Sequence, residues 1–203
     1  MSVKLTPKQK NTLHRKQLVL REAARMFLEQ GYEVTTIKDI SAATGVSVGS
    51  IYHFYESKAA ILRELARSMM TKEVLSLLDP VPERLARCGQ VLLEYYCSVA
   101  EKYDRIGAQL AKHIADDFPA IWMSPDGTFN RHYLPDELLT FLRRAQEEGY
   151  LDSTISSEEA AMILQMGSAG VLSLWIYQKG RFSLRDQIES FMRRLIGTLT
   201  VSL

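Results

Sequence analysis

Residues 35–58 read TTIKDISAATGVSVGSIYHFYESK, and this stretch decides the fold. Thr36 is placed to cap a helix, with Asp39 three residues on to return the bond, as in a capping box. Ile37, Ile40 and Ala43 then recur on one face of that helix, over about residues 37–43. Gly45 interrupts it, because the turn needs a backbone conformation that glycine tolerates best. Val46 packs the turn inward, and Ser47 caps a second helix, SVGSIYHF, over about 47–54. That helix is small and polar where it begins and aromatic where it ends. A small-residue start lets a helix approach another molecule closely, and its free N–H groups favour a phosphate there.

Upstream, Val19, Leu20, Ala23 and Phe27 recur at helical spacing within a first helix over 15–30, which Gly31 stops. The net charge of +1 conceals an asymmetry. Residues 1–58 carry nine Lys or Arg against five acids, and the remainder carries 16 against 19. Lys4, Lys8, Lys10, Arg15 and Lys16 lie in a stretch free of acids, which reads equally as a phosphate- or minor-groove-seeking arm and as a solvated tail.

Downstream, Ser57 caps a fourth helix carried by Ile61, Leu62, Leu65 and Met69 to about residue 78. Asp79-Pro80-Val81-Pro82 is the clearest punctuation in the chain. Helices are then expected over 83–103, 106–117, 131–148, 156–178 and 183–199, with Pro135 kinking the third of these or marking its true start. Residues 118–130, with Pro119, Pro125 and Gly127, read as irregular. No segment alternates with a period of two, so the expected class is all-α. Cys88 and Cys97 lie nine positions apart, two and a half helical turns, and so face opposite ways as small core residues. The longest uncharged run, 160–178, nearly reaches bilayer length, but Gln165, Ser168, Ser173, Gln178 and two glycines favour a buried helix over a membrane span. No export signal precedes the first helix, so a cytoplasmic protein without a membrane association is expected.

Residues 23–62, AARMFLEQGYEVTTIKDISAATGVSVGSIYHFYESKAAIL, resemble the DNA-binding domain of the TetR family of bacterial transcriptional regulators. The likeness lies in the F-x-x-x-G-Y end of helix one, the paired threonines, the G-V-S turn, G-S-I-Y-H-F in helix three, and S-K opening helix four. Ser41 and Thr44 stand where the family usually has alanine, and both are small enough to preserve the packing. The resemblance implies nine or ten helices. An arm and helix-turn-helix domain would span 1–57, with the helix-turn-helix at about 36–55. A long fourth helix would join it to an effector-binding and dimerisation domain over 58–203. It implies a homodimer on a palindromic operator, most simply a repressor released by a small apolar or amphipathic molecule. A DNA-binding or architectural factor of the same fold without an effector is one alternative, and an all-helical enzyme is the other.

On that basis Ser47, Val48, Gly49 and Ser50 would face base edges, with modest discrimination by serine and valine. Tyr52 and His53 match positions that contact phosphates or bases, and Thr35, Thr36 and Lys58 match phosphate contacts. The small residues Gly167, Ser168, Ala169 and Gly170 mark a close packing contact, either a dimer seam with Leu174, Phe191 and Leu195 or a contact within the chain. Tyr96, Tyr103, Phe118, Trp122, Met123, Phe129 and Tyr133 read either as the lining of an effector pocket or as ordinary core. No cofactor or resident metal is expected: His113 and Asp117 share a helix face with no third ligand near, and read as a surface pair. The dinucleotide, Walker, G-x-S-x-G and H-E-x-x-H motifs are all missing, so no enzyme is expected.

Overall fold

The computed structural model describes residues 6–69, 71–116 and 134–200, and among these the chain is helical between its turns. The helices are α1 (Pro7–Glu29), α2 (Ile37–Thr44), α3 (Val48–Phe54), α4 (Lys58–Met69), α5 (Lys72–Ser76), α6 (Pro82–Leu85), α7 (Cys88–Ala115), α8 (Asp136–Glu147), α9 (Ser157–Tyr177) and α10 (Leu184–Leu199). The one pairing of extended backbone among the described residues is an isolated bridge between Leu151 and Thr200. Chain contacts divide the protein into two compact units, Met1–Met69 and Met70–Leu203.

In the first unit α1 packs against α2, α3 and α4. Val19, Ala23 and Phe27 of α1 meet Ile37, Ile40, Val46, Ile51, Tyr55, Ile61 and Leu62 in its buried core. Helix α1 begins eight residues before the expected position. Thr6 caps it in a full capping box with Gln9, and Pro7 occupies a first-turn position, where its missing N–H costs nothing. The basic residues Lys8, Lys10, Arg15 and Lys16 therefore lie on helix rather than on an extended arm.

The second departure is at the fourth helix. Instead of running to residue 78, it ends at Met69, and Thr71 accepts a bond from the Val74 N–H to start the separate helix α5. Threonine is a good N-cap and an indifferent interior residue, since its hydroxyl competes for backbone groups. Helix α4 falls inside the first compact unit, so that unit extends twelve residues past the division expected after residue 57.

In the second unit α7 packs against α9 and α10, α9 against α8 and α10, and the short α5 and α6 lie along α7. One core runs from Val74 to Leu199 and includes Leu92, Tyr95, Tyr96, Phe141, Leu164 and Met192. The two helices expected at 83–103 and 106–117 follow one path, kinked at Gly107, whose φ of 75° and ψ of 158° only glycine adopts easily. Pro135 stands at the N-cap of α8, as its true start. Asp104 closes the far end of the bundle, its carboxylate accepting the Leu184 and Arg185 N–H groups at 3.2 and 3.0 Å and so capping the first turn of α10. Cys88 and Cys97 are free and buried, and burial pushes both thiols up.

Helix α9 is long and apolar enough to cross a membrane, by length and composition. It buries Ala160, Ala161, Leu164, Val171, Leu172 and Trp175 within the chain, while Ile163, Met166, Leu174 and Tyr177 remain exposed.

Candidate nucleic-acid interface

The site is built from caps. Thr36 Oγ1 accepts the Asp39 N–H at 3.2 Å, and the Asp39 carboxylate accepts from both the hydroxyl and the N–H of Thr36, at 2.6 and 2.9 Å. These bonds hold the Asp39 carboxyl below the usual carboxylate range, the Thr36 hydroxyl contributing most. Helix α2 then stops at Gly45, which takes the left-handed conformation at φ 66° and donates its N–H to the Ser41 carbonyl at 3.0 Å. Thr44 closes the turn, giving its hydroxyl to the Ile40 carbonyl at 2.7 Å and accepting the Val46 N–H at 3.3 Å. Ser47 caps α3 through the Ser50 N–H.

Helix α3 is thereby fixed with two unlike faces. Ile51 is fully buried, and Tyr55 is 5% exposed, its hydroxyl donating to the Lys16 carbonyl at 3.2 Å. Burial pushes that phenol up to about 12, with the Glu64 charge adding to the effect. The Lys16 ammonium lies 5.1 Å from the Tyr55 ring centre, so the same tyrosine ties α3 to α1 twice. On the other face Ser47, Gly49, Tyr52 and His53 are exposed, Tyr52 by half its surface. Nothing lies within 4 Å of the point where a side chain on Gly49 would begin. Ser47 and Ser50 share a hydroxyl contact of 2.9 Å, and Val48 and Ser50 are half-buried.

The residues expected at the interface thus separate into two groups. Thr36, Ser47, Gly49, Tyr52 and His53 are at the surface. Thr35 is not: it is 1% exposed, with its hydroxyl given to the Gly31 carbonyl at 2.8 Å, so its side chain serves the turn between α1 and α2. Lys58, expected on phosphate, instead directs its ammonium at the carbonyls of Tyr32, Thr35 and Glu33, at 2.7, 3.1 and 3.2 Å. Sequence spacing alone does not reveal this use, because the three carbonyls lie more than twenty positions away.

Of the expected pocket residues, Phe118, Trp122, Met123, Phe129 and Tyr133 lie outside the described residues, as does Asp117. Tyr96 is a core residue whose hydroxyl reaches Gln165 Oε1 at 3.4 Å, and burial holds its phenol far above the ordinary value. Tyr103 is half-buried against the same core, its phenol pushed up to about 12 by burial. A cleft of about 480 Å³ opens between α7 and α10, walled by Leu93, Cys97, Arg185, Glu189, Arg193 and Ile196 among others, and neither Tyr96 nor Tyr103 lines it. Three of its charges are partnered, Arg185 with Glu101 and Glu189, and Arg193 with Glu189. Among the described residues no group of three potential metal ligands occurs, and His113 lies 4.0 Å from Asp116.

Of the expected seam residues, Gly167 is occupied from within the chain: a side chain there would meet Leu195 at 2.7 Å and Phe191 at 2.9 Å. Gly170 faces open space, Leu174 and Phe191 are exposed, and Leu195 is half-buried against the core. The contact within the chain is therefore present at Gly167, and it is made by two of the residues expected at the seam.

Two capped helices joined at a left-handed glycine, the second presenting a small exposed face, define a helix-turn-helix DNA-binding protein. Residues 19–65 match the family model of bacterial regulatory proteins, tetR family. The chain is 27% identical over 187 residues to the HTH-type transcriptional repressor AcnR of Corynebacterium efficiens, covering 88% of this chain and 93% of that protein. It is 38% identical over 56 residues to the HTH-type transcriptional repressor KstR2 of Rhodococcus jostii, a match spanning 28% of each chain. In fold it is similar to Thermus thermophilus FadR, a TetR-family transcriptional repressor crystallised with lauroyl-CoA, at a TM-score of 0.67 and 22% identity over 93% of this chain and 96% of that one. Residues 19–65 are thus a TetR-family DNA-binding domain, and the chain is a DNA-binding transcriptional regulator similar over most of its length to TetR-family repressors.

Proposed function

We propose that the protein is a homodimeric repressor that binds a palindromic operator through α3 and is released by a small apolar or amphipathic molecule held in the unit after Met69. The observation that carries the DNA reading is the polarity of α3. Ile51 and Tyr55 anchor it inward, leaving the bare surface at Gly49 and the exposed Ser47, Tyr52 and His53 to meet DNA. Thr36 and Tyr52 would serve the phosphates, and Ser47, Val48, Ser50 and His53 the base edges. The functional division into a reading head and a regulatory body follows the two compact units.

Dimerisation is supported by the exposed apolar row Ile163, Met166, Leu174 and Phe191 on α9 and α10, with Gly170 open beside it. A repressor role and an amphipathic effector rest on the relatives: AcnR and KstR2 are repressors, and FadR was crystallised with lauroyl-CoA. The test is fluorescence anisotropy on a duplex selected from a random pool by the full chain. Gly49→Glu should abolish binding while leaving the helical circular dichroism intact, because it sets a carboxylate where α3 meets phosphate and base. Unchanged affinity would overturn the placement of α3 in the groove. For the dimer, Leu174→Glu with Phe191→Glu should halve the mass found by sedimentation.

A further inference from the structure

The geometry points to Lys58 as a positioning residue that buckles the turn between α1 and α2, rather than as a charge that neutralises phosphate. The inference rests on the DNA-binding reading and deepens it, by naming what holds the reading head in register. Residues 32–35 leave helix α1 and precede the cap of α2 at Thr36, so their carbonyls lie outside the hydrogen-bond ladders of both helices. The Lys58 ammonium lies 2.7, 3.2 and 3.1 Å from the carbonyl oxygens of Tyr32, Glu33 and Thr35. An ammonium has three protons and no acceptor, so these three contacts match its whole donor capacity. The same nitrogen lies 4.3 Å from the centre of the Tyr32 ring, which in turn packs edge-on against the buried Phe27 at 5.0 Å. Lys58 is half-buried and opens α4, and α4 packs on α1. One side chain therefore joins the start of α4, the end of α1 and the lead into α2. Thr35 completes the same turn from the inside, its hydroxyl on the Gly31 carbonyl at 2.8 Å.

A phosphate could accept a hydrogen bond from Lys58 only in competition with these three carbonyls, so that contact would loosen the turn. The lysine instead fixes where Thr36 begins α2, and through Gly45 where α3 stands. A phosphate contact and a buckle differ in how they answer to salt. Each phosphate neutralised by a cation contributes about 0.9 to the slope of log affinity against log salt.

The experiment is anisotropy of a labelled duplex, selected from a random pool by the wild-type full chain, across a salt titration. It is run on wild type, Lys58→Met and Lys58→Gln, and hydrogen exchange is followed on the amides of residues 32–37 in the absence of DNA. A buckle predicts a loss of affinity on the order of tenfold for Lys58→Met with the salt slope unchanged. It also predicts faster exchange confined to that turn, and a smaller loss for Lys58→Gln, whose amide retains two donors. A slope lower by about one with exchange unaltered would overturn the proposal and restore Lys58 to the phosphate. If the wild-type chain selects no duplex, the DNA reading fails, and the exchange of the turn then decides the role of Lys58 alone. Should Lys58→Met not fold, Lys58→Gln carries the same two readings.

Discussion

The unit ending at Met69 and the unit beginning at Met70 are both helical, yet their helices are specified in different ways. In the first, neighbours in sequence do much of the work. Thr6 with Gln9, Thr36 with Asp39, Ser47 with Ser50 and the left-handed Gly45 fix each helix end within four residues. In the second, Ser156 with Glu159, Thr71 with Val74 and Ser183 with Asp186 are equally local, but further side-chain bonds tie the helices to more distant parts of the chain. Asp104 caps a helix eighty positions later, Trp175 Nε1 donates to the Phe182 carbonyl, and Tyr96 meets Gln165. A short reading head presents a surface whose geometry must be tight, and local bonds give that geometry. A body of long helices gains more from one shared core.

The largest expected effect lies in that core. Phe141 is fully buried in α8, and Phe141→Ala should destabilise the protein by about 3–5 kcal/mol, read from the urea midpoint. If the loss were below about 1 kcal/mol, the second unit would not depend on its shared core in the way the comparison requires. Next is the turn of the reading head. Gly45→Ala places a Cβ in the left-handed region and should cost about 1–2 kcal/mol. Its neighbourhood is open within 4 Å, so crowding adds nothing and the whole effect is backbone strain. DNA affinity should fall more than stability does, since α3 moves with the turn.

These differences explain what was legible in the sequence. Thr36, Gly45 and Ser47 announce their roles because the partner of each lies within four positions. Residues 157–177 and 184–199 also read correctly, from a capping serine and an unbroken helical period. The break between Met69 and Lys72 is hidden because the apolar spacing continues through it, and only the capping hydroxyl of Thr71 marks it. The early start of α1 is marked only by Thr6-Pro7-Lys8-Gln9, which lies in the basic run ahead of the apolar period. The turn contacts of Lys58 and Thr35 are not legible, since a position in a motif does not say which way a side chain faces. Gly167 and Gly170 look alike in sequence, but one abuts Phe191 and Leu195 and the other faces open space.

That last pair sharpens the comparison further. Gly170→Ala should raise the stability of an isolated chain by up to about 1 kcal/mol, because alanine is the better helix former and nothing lies within 4 Å of the new methyl group. If a second copy covers α9, the same substitution should weaken association measured by sedimentation while the chain itself melts higher. A stability gain with association unchanged would place the seam elsewhere on α9 and α10.

The smallest expected effect is electrostatic and tests whether the local bonds of the reading head act through charge. The Asp39 carboxyl is held below its ordinary value by the Thr36 hydroxyl and N–H, and it also sits in the first turn of α2, where a negative charge meets the positive end of the helix. A carboxyl whose value is lowered on folding stabilises the native state fully above its unfolded value of about 3.9. That contribution is lost as pH falls through the lowered, folded value. The stability gap between wild type and Asp39→Asn should therefore be constant above about pH 5 and shrink between there and pH 3, because asparagine retains the accepting oxygen but not the charge. Urea midpoints at pH 6 and pH 3 measure it. A gap that stayed constant to pH 3 would mean that α2 is capped by hydrogen-bond geometry alone, with the ionised state of Asp39 contributing nothing.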